Sequence, residues 1–213
     1  MAMVEKPKHE TKPKRLLTRD ELRQLLIEAK KDSFSHAMIV LAVTTGAREG
    51  ELLGLRWSAI SLERGDVKIM ATLTRNEVAT IDGKPKTKLM ASAPKTRQSV
   101  RTIRLTAQAR EALRRHRSRL EARGRYRAGG WVFSTSTGTP MEKTNFLQRF
   151  FHPLLERAEL PRITFHRLRG LAATMLAESN LNPKALSRTP RARRYPYDAK
   201  PLRSDHREPS GSG

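Results

Sequence analysis

The sequence predicts a mainly α-helical domain of the α+β class, with a small antiparallel β-sheet set into the middle of the chain. Three observations carry this. Apolar residues recur at helical spacing on both flanks, the period switches to alternation between Asp66 and Leu105, and turn residues bound the alternating runs. The 213 residues are enough for one good-sized globular domain and too few for two large ones.

Residues 1–15 are rich in Lys, Pro and Glu and read as a solvated basic linker or arm. Thr18-Arg19-Asp20-Glu21 is a capping-box pattern, and Leu22, Leu25, Leu26 and Ala29 follow it at helical spacing. A second helix, from about Ser35 to Thr44, is apolar nearly all round, so it is expected to be a buried core helix stopped at Gly46. Helical spacing resumes from Arg48 to Leu55, which places Arg48 in the first turn after a sharp bend. Asp66–Leu73 and Ser99–Leu105 then alternate as strands. Between them Asn76–Lys95 is polar with a turn at Asp82-Gly83-Lys84-Pro85, predicting a two- or three-stranded sheet with a long basic hairpin. Helix returns from Thr106 to about Arg123, Trp131-Val132-Phe133 reads as a short strand, and Lys143–Ala158 reads as helix. Thr164 and Phe165 lead into another helix through Leu168, Leu171, Ala172, Met175 and Leu176. Asn182-Pro183 has the form of an N-cap and first helical residue, but the helical pattern fails after Leu186.

The charge limits the partner. Forty-three Lys+Arg against 21 Asp+Glu give a formal charge of +22 and a pI near 11.3, a self-repulsion that a polyanion would offset. Nucleic acid is therefore the leading partner, with an anionic membrane as the rival. No long apolar run and no basic amphipathic helix with aromatic anchors favours a membrane. The first residues lack the apolar core of a signal peptide, and zero cysteines exclude disulfides, thiolate metal sites and a Cys nucleophile, so a cytoplasmic location is expected.

Two stretches concentrate the chemistry: Thr45-Gly46-Ala47-Arg48-Glu49-Gly50-Glu51-Leu52-Leu53-Gly54-Leu55-Arg56-Trp57 and His166-Arg167-Leu168-Arg169. Each places an arginine at the edge of a helix, and two arginines from distant segments can grip one phosphate from two sides. His166 and Arg169 share a helix face at i and i+3, and Lys95 lies in Pro94-Lys95-Thr96-Arg97 just before the last hairpin strand. Metal-free phosphodiester cleavage needs cations on the non-bridging oxygens, a proton donor for the leaving oxygen and a base for the nucleophile. Arg48, Lys95, His166 and Arg169 are of the types that fill those roles. Taken singly each has a plainer reading: Lys95 as one more basic hairpin residue, His166 as a capping or core histidine. Arg56 and Trp57 read as packing and surface residues, and Glu51 as a group that holds a neighbour in place rather than a base.

The order of the set is more specific than any member. Thr-Gly-x-Arg-x-x-Glu-Leu-x-x-Leu-x-Trp, the Pro-Lys-Thr hairpin leading into Val100-Arg101-Thr102-Ile103-Arg104-Leu105, and Thr164-Phe165-His166-Arg167-Leu168-Arg169 together resemble the catalytic domain of a tyrosine recombinase of the phage-integrase type. The resemblance runs from about Leu16 to Leu186. It implies site-specific DNA recombination, integration or excision, through a 3′-phosphotyrosyl intermediate, with no metal and no nucleotide cofactor. It further implies that Arg48 and Arg169 clamp the scissile phosphate, that Lys95 protonates the leaving 5′ oxygen and that His166 assists proton transfer. A homo-oligomer on DNA is implied for the full-length enzyme, whose DNA-clamping N-terminal domain is expected to be missing here. Arg167 and Gly170 stand where the family often has Asp and His.

The C-terminal segment departs further. In the family a helix with Leu-Gly-His follows the second arginine by about two dozen residues, and the nucleophilic tyrosine lies about ten beyond that histidine. Here two prolines and an arginine cluster occupy Arg188–Leu202. Back-translated and read one nucleotide later, Thr189–Arg203 permits Leu-Gly-His-Ala-Asp-Thr-Pro-Met-Thr-Leu-Ser-Arg-Tyr, with His in the register of Ala192 and Tyr in that of Leu202. The expected organisation is thus an arm at 1–15, a catalytic domain at 16–187 incomplete at its C-terminal end, and a disordered out-of-frame tail at 188–213. As written the chain is expected to be inactive. Tyr195 and Tyr197 flank Pro196 and are poor substitutes for the nucleophile. The alternatives are a non-catalytic DNA-binding protein that retains the basic cleft and, less compatible with the ordered motifs, a ribosome- or RNA-associated protein.

Overall fold

The computed structural model describes residues 16–78, 86–92, 100–171 and 187–188. Helix α1 (Arg19–Ala29) begins with the expected capping box: Thr18 Oγ1 accepts from Glu21 N, and Thr18 N donates to Glu21 Oε2. Helix α2 (Ser33–Thr45) starts two residues earlier than its apolar pattern, because Asp32 caps it by accepting from Ser35 N. Every residue from Ser33 to Val43 is buried, so α2 is the core helix its composition predicts. Gly46 ends it in the left-handed conformation, φ 60°, with its N–H returned to Ala42 O.

The third helix, α3, spans Glu49–Leu53, shorter than its apolar spacing implies. It runs out at Gly54, and Gly50 and Gly54 together present a bare face to strand β3. A Cβ on Gly50 would lie 2.9 Å from Thr72 Cγ2, and one on Gly54 3.0 Å from Leu73 N. The two glycines are where helix and strand touch backbone to backbone.

The sheet is richer than predicted. A four-stranded antiparallel sheet orders β1 (Ile60–Ser61), β2 (Asp66–Ile69), β5 (Arg101–Arg104) and β6 (Ser187–Arg188) as β1-β2-β5-β6. A separate antiparallel ribbon pairs β3 (Thr72–Val78) with β4 (Lys86–Ser92). The single alternating run Asp66–Leu73 is therefore two strands, broken at Met70 and Ala71, with Val67 and Ile69 buried in the main sheet and Leu73 packed on α3. The polar segment read as hairpin, Asn76–Lys95, holds the end of β3 and the whole of β4, since ladder hydrogen bonds do not require apolar side chains. Arg75 forms an ion pair with Glu142, tying the ribbon to the main body. Ser187 and Arg188, where the sequence places the start of a tail, pair with Ile103 and Thr102.

Helix α4 (Ala107–Ala122) begins at the Thr106 cap and buries Ala109, Ala112, Leu113 and His116. Trp131-Val132-Phe133 is not a strand. Trp131 makes one isolated bridge to Arg56, while Val132 N donates to Leu55 O and Val132 and Phe133 enter the core. Residues 143–157 are helical but not uniform: α5 (Lys143–Phe146) passes into a π-turn over Leu147–Phe151 and then into α6 (His152–Arg157). Pro153 supplies the reason, since it has no N–H to give Arg149 and its ring crowds that carbonyl in a regular α-turn. A last helix, α7, opens at 166 and is described to 171. The helix expected after Asn182 lies outside the described residues.

Candidate phosphate-binding site

Arg48 is placed by the end of one helix and the start of the next. Gly46 turns the chain out of α2, and Arg48 takes the N-cap position of α3 in extended conformation, its side chain 60% exposed. Glu51 fixes that corner. Its carboxylate is 1% exposed; Oε2 accepts from Arg48 N at 2.8 Å, and Oε1 accepts from Arg48 Nη1 at 3.4 Å. Arg101, from the inner strand β5, reaches the same carboxylate with two prongs, Nη1 to Oε1 at 3.1 Å and Nη2 to Oε2 at 2.8 Å. Burial raises the Glu51 pKa, but the hydrogen bonds and charge of Arg101 and the Arg48 N–H outweigh it, so the carboxyl titrates below its ordinary range. Glu51 is a charged brace between α3 and β5, as its sequence context predicts. Arg101 is the partner that sequence reasoning did not single out.

His166 and Arg169 enter from α7. Phe165 and Leu168 face the core, which leaves His166 exposed and Arg169 half-buried on the other flank. Arg167 N and Leu168 N bond back to Thr164 O and Phe165 O, so the helix begins with a tight turn that projects His166 at its tip.

These two segments meet at a groove of about 360 Å³ whose walls include Glu49, Lys143, His152, Arg162, His166 and Arg167. Lys143 Nζ pairs with Glu49 Oε2 at 2.9 Å, joining the starts of α5 and α3, and Arg162 Nη2 donates to His152 Nδ1 at 2.9 Å. Glu49 Oε1 is buried with no hydrogen-bond partner among the described residues. Of the four residues predicted from sequence, His166 lines the groove and Arg48 adjoins it through Glu49. Arg169 lies one turn further along α7, and Lys95 lies outside the described residues. Lys143, His152 and Arg162 carried no motif and Glu49 stood at an unassigned position of the first one; their chemistry is visible only once the helix starts are brought together. Arg56 and Trp57 behave as packing residues: the Arg56 guanidinium lies 3.9 Å from the Trp131 ring centroid and donates to Gly129 O, while Trp57 is buried.

An N-cap arginine on a buried carboxylate thus sits next to Glu49, which shares a groove with His166 at the start of α7. The phage integrase family model matches residues 15–189. The chain belongs to the phage integrase family. It is 31% identical over 177 residues to a tyrosine recombinase XerC-like protein of Caldanaerobacter subterraneus subsp. tengcongensis, covering 79% of this chain and 45% of that one. A Streptomyces ambofaciens integrase is likewise 31% identical, over 152 residues, covering 69% of this chain and 37% of that one. The chain thus spans less than half the length of these curated relatives. In structure it is similar to the Tn1549 transposon integrase, solved in complex with circular intermediate DNA: TM-score 0.65 and 26% identity, covering 83% of this chain and 58% of that one. The XerA recombinase, at 19% identity and TM-score 0.59, shares the fold, with 84% of this chain and 54% of that chain covered. The mainly helical α+β class is therefore that of tyrosine recombinase catalytic domains.

Proposed function

We propose that this chain is the phosphate-gripping part of a site-specific DNA recombinase, and that as written it binds DNA without cutting it. One observation carries the reading: in a member of this family, Arg48 is braced by a buried carboxylate beside the groove that His166 lines. Arg48 and Arg169 hold the non-bridging oxygens of one phosphodiester, where negative charge grows in the transition state. Lys95 delivers a proton to the leaving 5′ oxygen, and His166 assists proton transfer to or from the phosphate. The nucleophile is a tyrosine hydroxyl, which displaces the 5′ oxygen and forms a 3′-phosphotyrosyl ester. That link keeps the energy of the broken ester for rejoining, so the cycle requires no nucleotide hydrolysis.

The tyrosine is what this chain lacks at the family's position. Residues 188–213 are the out-of-frame continuation of the gene, with Leu-Gly-His and the tyrosine restored by reading one nucleotide later. Joined to an N-terminal clamping domain, the corrected enzyme recombines duplex DNA as a homo-oligomer. A second reading, a DNA-binding protein that never cleaves, is favoured by the Pro- and Arg-rich sequence of Thr189–Arg203 itself. A nicked suicide substrate decides between them once the frame is restored: the recombinase reading predicts a covalent DNA adduct from the corrected chain, the second reading none. The chain as written yields no covalent DNA adduct. A DNA-linked band that is lost on Tyr197→Phe would contradict the out-of-frame reading.

A further inference from the structure

Helix α4 carries an arginine face that the site above does not use. Arg115, Arg119 and Arg123 recur every four residues along one flank of the helix and its cap, and Arg125 follows; all four are exposed. Other arginines nearby are committed to the fold. Arg110 donates to Leu62 O, Arg117 pairs with Glu121 and stacks on Tyr126, and Arg127 donates to Gly124 O and Tyr126 O. Arg115, Arg119, Arg123 and Arg125 make no ion pair among the described residues. Exposed Lys30 extends the face from the end of α1: it and Arg115 both lie close enough to the buried His36 to hold its pKa down, after the larger effect of burial.

The face is remote from Arg48. His116 meets Ser33 and Phe34 in the first turn of α2, whereas Arg48 follows the last turn. Thirteen helical residues between them span about 18 Å.

We propose that the arginine face of α4 is a second binding surface for duplex DNA phosphates, able to hold a duplex other than the one on the Arg48–Arg169 clamp. This rests on the DNA-binding reading above. Guanidinium groups favour phosphate because their planar forks make paired hydrogen bonds to its oxygens. The spacing of the three arginines, about 6 Å per step of four residues, lays them out as a line that can follow a phosphate backbone. No Phe, Tyr or Trp side chain is fully exposed among the described residues, so the face offers little platform for stacking unpaired bases, and a duplex fits it better than a single strand.

The test compares the full chain with the triple variant Arg115→Ala, Arg119→Ala, Arg123→Ala and with the clamp variant Arg48→Ala, Arg169→Ala. Two duplexes carrying donor and acceptor dyes are mixed with each protein, and energy transfer reads bridging. Wild type bridges; the triple variant still binds DNA but loses bridging, and its plot of log affinity against log salt is shallower by about three, one phosphate per arginine. Arginine-to-lysine changes at the same positions restore bridging. The imidazole carbon signal of His36 reports the face directly: it shifts when DNA is added to the clamp variant and stays in place in the triple variant. Bridging and salt slope unchanged in the triple variant would overturn the proposal, as would a face that takes poly-glutamate but no duplex. A wild-type chain that binds no DNA at low salt would instead remove the DNA-binding reading itself.

Discussion

Glu51 shows how one buried charge sets a cationic site. Its carboxylate accepts from Arg101 twice and from Arg48, so the two arginines are held within one hydrogen-bond network although 53 residues apart in sequence. Changing Glu51 to Gln removes the charge and leaves Arg101 unbalanced at 22% exposure. The expected loss is about 3 kcal/mol of unfolding free energy, read from urea denaturation at pH 7. Arg101→Met tests the other side of the pair. In the wild type the Glu51 carboxyl titrates below its usual range, so its stabilisation is present at neutral pH and disappears as pH falls through that lowered value. Without Arg101 the raising effect of burial is no longer offset by its main opponent, and the carboxyl shifts upward. The variant's stability deficit relative to wild type is then largest at neutral pH and shrinks over the acid range in which that raised carboxyl protonates. A deficit that is flat across this range would show that Arg101 is not what holds Glu51 ionised. Arg48→Ala, by contrast, removes an exposed head group. It leaves the fold intact and makes the salt dependence of DNA binding shallower by about one.

At the scale of elements, the α3–β3 contact sets how the ribbon is carried next to Arg48. Gly54→Ala places a methyl group 3.0 Å from Leu73 N and 3.0 Å from Gly50 O, both backbone atoms with little room to move. It is expected to cost about 1–3 kcal/mol by overpacking and to loosen β3–β4, measurable as faster amide exchange at Leu73 with unchanged exchange in α2. Which elements the sequence disclosed follows from the range of the forces that make them. The α1 capping box, the largely apolar α2 and its Gly46 stop, and the Thr106 start of α4 are local, and each was legible within a few residues. The break at Met70–Ala71, the strands over 72–78 and 86–92 and the fate of Trp131-Val132-Phe133 depend on which distant backbone supplies the hydrogen bonds. The candidate site divides in the same way. Arg48, His166 and Arg169 stood out through local motifs, whereas Arg101, Lys143 and Arg162 matter only because folding places them beside Glu51, Glu49 and His152.

For the whole molecule, 43 basic against 21 acidic residues favour an anionic partner, and family membership makes that partner duplex DNA in the reading proposed here. Binding is expected to be phosphate-driven and weakly selective for sequence, with affinity falling steeply between about 50 and 200 mM salt. Filter binding across that range checks it, and salt-independent binding would contradict it. The central claim, an intact phosphate grip that has lost its nucleophile to a shift of frame, is tested most directly by restoring the frame near codon 188. The corrected chain, joined to its clamping domain and given a nicked suicide substrate bearing its own target site, is incubated with DNA and resolved under denaturing conditions. The account predicts a covalent DNA–protein band that disappears when the tyrosine read in the register of Leu202 is changed to Phe, and that falls by orders of magnitude with Arg48→Ala. A corrected protein that folds and binds the site yet forms no such band would contradict the account and leave a non-catalytic DNA-binding protein in its place.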